Sequence, residues 1–252
     1  MSMPRLRREQ KVRTRAPYPF RPVPTEEIPV YINNRDRVST VRITVDWLLS
    51  AGTRKIVILD NDSTYQPLLE YYKTLPAGVS VDYLRTNAGP WAFWDRGMHM
   101  GQGTPYVVTD SDLVPADECP KDLISKLNTL LLNRPESGKV GPGLKIDDVP
   151  QFHGMAKMNG CGMPEQLEYW TKRYNSEAFL ANIDTTCALY GPYSNGKVGH
   201  WFDDPNNLRM DTPYLWKHIP WYVTEENITE EETYYRTHCH HGWSHSYNLT
   251  RE

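Results

Sequence analysis

Short apolar runs rich in Val and Ile alternate with amphipathic helical patterns along residues 28–132, and this alternation strongly restricts the possible folds. Strands are predicted at residues 28–32, 55–59, 79–84 and 106–109, and helices at residues 38–52, 67–75, 90–100 and 120–131. The unit repeats at roughly 25 residues, which indicates right-handed β-α-β connections between parallel strands. The sequence therefore predicts an α/β fold in which helices flank a mostly parallel sheet.

The pattern becomes less regular after residue 134. A broken strand is predicted within residues 139–146, a helix at residues 165–179 and a strand at residues 185–190, followed by a stretch rich in Gly, Pro, Asn and aromatic residues. We therefore divide the chain into three parts. They are a basic arm with several prolines (residues 1–27), a sheet-forming half (residues 28–134), and a loop-rich second half of the same domain that ends in a tail (residues 135–252).

The charge of the chain is unevenly distributed. The formal net charge is -3, so the body of the protein has no global field that would recruit nucleic acid or a membrane. Before residue 22, however, the Lys and Arg side chains of the arm are opposed only by Glu9. The arm is either a solvated tail or a contact to a polyanion such as DNA, or to an acidic partner.

Cysteine spacing and hydropathy indicate the cellular compartment. The four cysteines are widely separated and form no C-x-x-C pair, which favours reduced thiols. No apolar run approaches the ~20 residues of a membrane-spanning helix. We therefore expect a soluble, cytoplasmic chain with no membrane partner.

Two carboxylates follow the fourth predicted strand. Asp110 and Asp112 are one residue apart, so in an extended chain their side chains lie on the same side. In an open α/β sheet, ligands bind at the carboxyl ends of the strands. Two hard oxygen donors at that edge suit Mg²⁺ or Mn²⁺, which binds through few carboxylates together with phosphates and waters. The alternative is an Asp-rich turn without a ligand.

Polar side chains follow the other three strands as well. The four segments are Asn33–Asp36, Asp60–Ser63, Thr86–Gly89 and Asp110–Asp112. Turn preference explains one or two of them, but four at one edge indicate a polar ligand cleft. The sequence contains neither of the glycine-rich motifs that surround phosphates with backbone amides. A metal ion on the aspartates is then the expected means of neutralising a diphosphate.

These segments resemble a known family. Residues 60–64 (Asp-Asn-Asp-Ser-Thr), residues 87–89 (Asn-Ala-Gly) and residues 110–112 (Asp-Ser-Asp) follow successive strands in the order found in GT-A-fold glycosyltransferases, whose sheet is Rossmann-like. The sequence is most similar to the family 2-like group, which includes small bacteriophage enzymes. The resemblance covers residue 28 to about residue 132, and it marks residues 28–134 as the nucleotide-sugar-binding half and the remainder as the acceptor side.

The resemblance implies a donor and a cofactor. The donor is a nucleoside-diphosphate sugar, usually a UDP-sugar, and Mn²⁺ or Mg²⁺ bridges its diphosphate to the aspartates. Asp112 is the expected direct metal ligand, and Asp110 lies near the ribose or a metal-bound water. The nucleotide contacts implied in the first half are Asn33, Arg35, Asp60, Asp62 and Asn87.

The resemblance also implies a carboxylate base beside the acceptor and a histidine on the metal. Asp184 is the preferred base, although Ile183 stands where the family commonly has a glutamate, and its alternative role is a helix cap or turn. Asp147 and its neighbour Asp148 are rival bases. His218 is the candidate metal ligand, or else a histidine packed among aromatic residues.

We therefore predict a metal-dependent, hexosyltransferase-like enzyme. It would transfer the sugar to a hydroxyl group on a hydroxymethylated DNA base or a virion protein, with inversion if an aspartate acts as the base. Retention is the alternative stereochemistry. The alternative functions are a nucleotidyltransferase and a nucleotide-sugar-binding module without catalysis.

Overall fold

The computed structural model describes residues 23–134, 136–149, 167–183, 185–192, 204 and 206–239. The strands in these segments are β1 (Val30–Asn34), β2 (Ile56–Asp60), β3 (Val79–Tyr83), β4 (Tyr106–Asp110), β5 (Leu113–Pro115), β6 (Lys139–Gly141), β7 (Gly143–Leu144), β8 (Ala178–Leu180), β9 (Ala188–Tyr190), β10 (Leu208–Met210) and β11 (Leu215–His218). The α-helices are α1 (Ser39–Ser50), α2 (Gln66–Tyr72), α3 (Ala92–Asp95), α4 (Leu123–Asn133) and α5 (Glu230–His238). Short 3₁₀ turns are found at Thr25–Glu27, Gly89–Trp91, Met98–Gly101 and Ile219–Tyr222.

The main sheet has eight strands in the order β3-β2-β1-β4-β9-β6-β10-β8. Strands β1 to β4 are parallel to one another, whereas β9 is antiparallel to both β4 and β6. Parallel strands joined by helical crossovers place their carboxyl ends at one edge. The predicted α/β fold, with a mostly parallel sheet flanked by helices, is confirmed.

Apolar side chains on the two faces of this sheet explain why the helices pack where they do. Val41, Val45 and Leu48 recur at helical spacing along α1 and are buried in the larger core cluster, together with residues of α2 and α4. The opposite face carries an aromatic cluster in which Tyr106 stacks on Tyr190 with ring centroids 5.4 Å apart. Both faces are covered, as expected for strands that are apolar throughout.

Two helix predictions were wrong in detail. Residues 90–100 form short α3 between 3₁₀ turns, because Gly97 adopts a left-handed backbone (φ 68°) that interrupts the helix. The helix predicted at residues 165–179 ends early, and Phe179 lies in β8. Asn175 Oδ1 accepts a hydrogen bond from the Glu177 amide, which turns the chain before this strand.

A smaller three-stranded sheet brings the second half of the chain to the ligand edge of the first. Its order is β5-β11-β7, and β11 is antiparallel to β5 with His218 opposite Leu113. Because β5 begins directly after the turn at the end of β4, this register places His218 beside Asp112.

Cys119, Cys187 and Cys239 are buried and form no disulfide within the described segments. Burial raises the pKa of Cys119 to about 12, against a smaller lowering by Lys121. These thiols are therefore packed core groups. No helix among the described residues is both long and apolar enough to cross a membrane.

Candidate functional site

Asparagine side chains organise the loops at the ends of β1 and β2. Asn61 Nδ2 donates to the Gly89 carbonyl (2.8 Å), and Asn33 Nδ2 donates to the same oxygen (3.2 Å). Asn61 Oδ1 accepts from the Ala88 amide, and Asn87 Oδ1 accepts from the Gly89 amide. The structure thus brings Asn33 and Asn87, both expected at the nucleotide, to one partly buried hydrogen-bond network that fixes the loop after β3.

Asp60, at the end of β2, is buried and held by two donors. Its Oδ2 accepts from the Tyr72 hydroxyl at 2.9 Å, and its Oδ1 accepts from the Ser63 amide at 3.1 Å. The same Tyr72 oxygen accepts from Asn34 Nδ2. Burial, with Asp60 close by, raises the pKa of Tyr72 far above its usual range. Asp60 therefore fixes the turn after β2.

Arg35 crosses from the end of β1 to the end of β2. Its Nη1 donates to the carbonyl oxygens of Asn61 (2.7 Å) and Asp62 (2.9 Å), and Asp62 is exposed with φ 64°. Asp36 also has a left-handed backbone, and its Oδ1 accepts from the amides of Thr64 and Tyr65 just before α2. The loop after β1 is thereby joined to the loop after β2.

Asp112, just after β4, and His218, at the end of β11, lie next to each other at this edge of the sheet. His218 Nε2 lies 3.4 Å from Asp112 Oδ2, and both side chains are partly exposed. The Ile219 amide donates to the Asp112 carbonyl at 2.9 Å, which fixes the chain on both sides of the contact. The His218 ring packs edge-on against Trp221. Its Nδ1 is buried and has no hydrogen-bond partner in the segments described.

A buried arginine, Arg37, also contributes to the electrostatics of Asp112. The Arg37 guanidinium stacks over the Tyr235 ring at 4.0 Å from its centroid. Burial alone would raise the pKa of Asp112, but His218 and Arg37 outweigh it and hold that pKa below its usual value. Burial, together with Asp112 and Asp110, raises the pKa of Tyr235 despite Arg37. These side chains therefore share one electrostatic environment.

The metal donors available here are few. Asp110 ends β4 opposite Asn33, one residue before the turn that carries Asp112. Within the described segments, no group of three or more His, Cys, Asp or Glu side chains is arranged around a common point, so Asp110 does not complete a three-residue set with Asp112 and His218. A two-residue carboxylate–imidazole set fits an ion that takes its other ligands from phosphate and water.

Neither Asp147 nor Asp148 joins this pair. The Asp147 side chain is 73% exposed, and its carboxylate is 3.1 Å from Lys145 Nζ. Asp148 pairs with Lys217 and accepts from the Tyr222 hydroxyl. Since Lys217 precedes His218 in β11, alternation along the strand directs these two side chains to opposite sides. Asp184 lies outside the described residues.

The sequence analysis missed helix α5. Glu231 on this helix accepts from the amides of Val38 and Ser39 (both 2.9 Å) and from the Ser39 hydroxyl, so it caps α1. Glu232 pairs with Arg37 at 2.8 Å. The start of α5 was readable as a capping sequence, since Thr229 precedes Glu232 by three residues and its hydroxyl accepts from the Glu232 amide. Nothing in the sequence indicated where the helix docks.

Comparisons with known proteins give structural neighbours only. No protein-family model matches the sequence, and no curated protein sequence matches it. The mannosyltransferase PcManGT from Pyrobaculum calidifontis, in complex with GDP-Man and Mn²⁺, is 16% identical over 49% of this chain, with a TM-score of 0.39. TarS 1–349 from S. aureus is 13% identical over 77% of the chain, with a TM-score of 0.48. GalNAc-T7, solved with UDP, GalNAc and Mn²⁺, is 13% identical over 75% of the chain, with a TM-score of 0.47.

One of these neighbours is a mannosyltransferase, and two of the three structures contain Mn²⁺. The chain spans 37%, 60% and 43% of their lengths, respectively. At such identities and TM-scores, function has to be sought in the site residues themselves.

Proposed function

We propose that the chain is a metal-dependent glycosyltransferase that moves a sugar from a nucleoside-diphosphate sugar to a hydroxyl group on a macromolecule. The contact between Asp112 and His218 supports this proposal most directly. Two residues 106 positions apart in the sequence are brought to 3.4 Å from each other by the pairing of β5 with β11. They lie at the carboxyl edge of parallel strands, where α/β folds bind ligands.

Mn²⁺ or Mg²⁺ fits these donors. Asp112 and His218 would hold the ion, and Asp110 would contact the ribose or a metal-bound water. Nε2 of His218 faces the Asp112 carboxylate, and the other ring nitrogen, Nδ1, is buried and has no partner in the described segments. When bound, the ion would stabilise the negative charge on the departing nucleoside diphosphate.

The loops after β1, β2 and β3 would bind the nucleotide. Asn33, Asp60 and Asn87 hold these loops in a fixed conformation through buried and partly buried hydrogen bonds, which preorganises the edge before a ligand arrives. Arg35 and Asp62 are more accessible, and Arg35 supplies a positive charge at the junction of the first two loops. These side chains are the proposed nucleotide contacts.

Proton transfer from the acceptor would require a carboxylate. Asp184 is the proposed base, and it would take the proton of the acceptor hydroxyl as that oxygen attacks, with inversion of the anomeric centre. Asp147 is the weaker candidate because its carboxylate pairs with Lys145 and is mostly in solvent.

The finer parts of the proposal come from the motif resemblance and from the charge of the arm. They are a UDP-sugar donor, a relationship to the family 2-like bacteriophage enzymes, and an acceptor that is a hydroxymethylated DNA base or a virion protein. A cytoplasmic location is proposed because the wide spacing of the cysteines favours reduced thiols. The basic arm at residues 1–27 would contact DNA if DNA is the acceptor.

A thermal-shift and donor-hydrolysis panel tests the proposal. UDP-, GDP-, dTDP- and CMP-sugars are each added with Mn²⁺ or with a chelator. We expect one donor to raise the melting temperature and to be hydrolysed slowly, in both cases only with metal. Asp112→Asn should abolish both effects, whereas the control Asp82→Asn, at an exposed aspartate on β3, should retain them. A folded protein that responds to none of the donors would refute the proposal.

A further inference from the structure

Among the described residues, no group gives His218 the hydrogen bond that usually orients a metal-binding histidine. Such histidines almost always donate their second ring N–H to a carboxylate, a backbone carbonyl or a water. In His218 the nitrogen that faces Asp112 is Nε2, whereas Nδ1 is buried and has no hydrogen-bond partner in the described segments. The orientation of this ring therefore depends on packing rather than on a second hydrogen bond.

The indole of Trp221 provides this packing. The centroids of the His218 and Trp221 rings lie 4.7 Å apart and the ring planes are inclined by 72°, which is the edge-to-face arrangement that aromatic pairs favour. Rotation of the imidazole about its Cβ–Cγ bond would change the angle between the planes and weaken the contact. The contact therefore favours the orientation in which Nε2 faces Asp112.

Trp221 is itself held in place by the fold. It is 7% exposed, belongs to the larger core cluster and lies in the 3₁₀ turn Ile219–Tyr222 that follows β11. Side chains three positions apart lie on the same side of such a turn, and His218 and Trp221 have this spacing. Pro220, at an early position of the turn, restricts the backbone between them. The indole is thus a fixed surface for the imidazole.

A site with few protein donors is sensitive to the orientation of each one. Within the described segments, Asp112 and His218 are not joined by a third donor around a common point, so an ion would take its other ligands from phosphate and water. The hydrogen bond from the Ile219 amide to the Asp112 carbonyl fixes the backbone of the pair but not the imidazole. If the imidazole could rotate freely, ordering it would weaken the binding of the ion.

We propose that Trp221 is a positioning residue for the candidate metal site: its buried indole holds the His218 imidazole with Nε2 directed toward Asp112, so that the two donors are arranged before an ion binds. The inference rests on the proposed function because it takes Asp112 and His218 as metal ligands. Trp221 is not itself a ligand, since an indole offers only an N–H donor. Packing against an aromatic ring and binding of a metal are therefore compatible roles for His218.

Titration with Mn²⁺ alone, followed by electron paramagnetic resonance of the free ion, tests the inference without an activity assay. We expect Trp221→Leu to raise the Mn²⁺ dissociation constant by on the order of tenfold, which corresponds to ~1.4 kcal/mol. Trp221→Phe keeps an aromatic ring beside the imidazole and should stay within about threefold of wild type.

Tyr222→Leu is the matched control. It removes the neighbouring aromatic ring from the same turn, but the Tyr222 hydroxyl bonds to Asp148 and to the Lys145 carbonyl. The Mn²⁺ affinity of this variant should therefore stay within about twofold of wild type.

A double-mutant cycle separates positioning from general damage to the fold. In a His218→Ala background, Trp221→Leu should not weaken the residual Mn²⁺ binding further, because the ring that the indole holds is gone. A further loss of about tenfold in that background would overturn the inference. A second measurement needs no variant. Metal-free wild type should show a nuclear Overhauser effect between the ring protons of His218 and Trp221, and its absence would overturn the inference even if Trp221→Leu does not fold.

The outcomes distinguish this inference from the proposed function. Wild-type Mn²⁺ binding that depends on Asp112 and His218, but is unchanged in Trp221→Leu, would refute the role of Trp221 and leave the glycosyltransferase proposal standing. Equal losses in Trp221→Leu and Tyr222→Leu would likewise refute it, since disruption of the turn alone would explain them. No Asp112-dependent Mn²⁺ binding in wild type would refute both.

Discussion

Replacing Glu231 by alanine should destabilise the protein far more than its place on a polar helix suggests. Helix α1 begins after Val38, whose side chain cannot accept a hydrogen bond. Glu231 supplies the missing acceptor from the other end of the chain through the amides of Val38 and Ser39 and the Ser39 hydroxyl. The substitution leaves three donors at the helix terminus without this partner and removes a negative charge from the positive end of the helix dipole.

The size of the loss follows from these contacts. A lost helix cap costs ~0.5–2 kcal/mol, and a hydrogen bond to a charged group contributes ~1.5–3 kcal/mol. The three bonds share one carboxylate and are not additive, so we expect Glu231→Ala to lower the free energy of unfolding by roughly 2–4 kcal/mol. For a chain of this size, that corresponds to a fall in melting temperature of roughly 4–16 °C.

Urea denaturation with the matched variant Glu230→Ala checks this expectation. Glu230 lies in the same turn of α5 but is exposed, so its loss should cost only ~0.3–1 kcal/mol through the dipole of α5. The transition midpoint of Glu231→Ala should fall with little change in slope. If both variants lose the same free energy within about 0.5 kcal/mol, the carboxylate does not cap α1 and the reasoning is wrong.

Two further predictions concern hydrogen bonds and pH. Tyr72→Phe should lower the free energy of unfolding, measured by urea denaturation, by ~2–3 kcal/mol, because it leaves the buried side chains of Asp60 and Asn34 without their hydrogen-bond partner. Tyr71→Phe is the control and should be neutral, since the Tyr71 hydroxyl has no partner among the described residues. Burial acts to raise the pKa of Asp148, but hydrogen bonds to its carboxylate, one of them from Lys217, outweigh burial and lower that pKa. The ionised carboxylate therefore contributes its full stabilisation above the unfolded pKa of ~3.9, and this stabilisation is lost as the pH falls through the folded pKa. Lys217→Met should reduce the loss of stability between about pH 7 and pH 3, measured as the difference in urea midpoint at the two pH values. An unchanged difference would contradict the claim that Lys217 lowers the pKa of Asp148.

Local pattern was enough to predict the parallel half of the fold. Val30 to Ile32 are apolar on both faces of the strand, and the partners on either side begin with residues of the same character, which favours an interior position for this strand. The polar residues at the strand ends then had to share one edge, and Asp112 lies there. Alternating apolar runs carry this information because a parallel sheet is built from repeated local units.

Other features depended on contacts that local sequence does not encode. The position of His218 beside Asp112 comes from the antiparallel pairing of β11 with β5, which joins segments about 100 residues apart. The helix predicted at residues 165–179 had apolar spacing close to helical, but the turn at Asn175 and the pairing of Phe179 with Arg209 in β10 override that preference. Asn33 had the residue type of a ligand contact, yet its amide is engaged with Gly89.

Helix α5 shows most clearly why composition was misleading. Three consecutive glutamates before Thr233 are typical of a solvated first turn, because carboxylates are rarely buried without partners. Two of them are buried here because the loop after β1 presents donors that only carboxylates satisfy, namely the start of α1 for Glu231 and the Arg37 guanidinium for Glu232. The loop carrying the proposed nucleotide contact Arg35 is thus fixed on one side by the turn after β2 and on the other by α5. The second half of the chain therefore contributes to the proposed donor edge as well as to the proposed acceptor side, and the division of the sequence at residue 134 does not divide the candidate site.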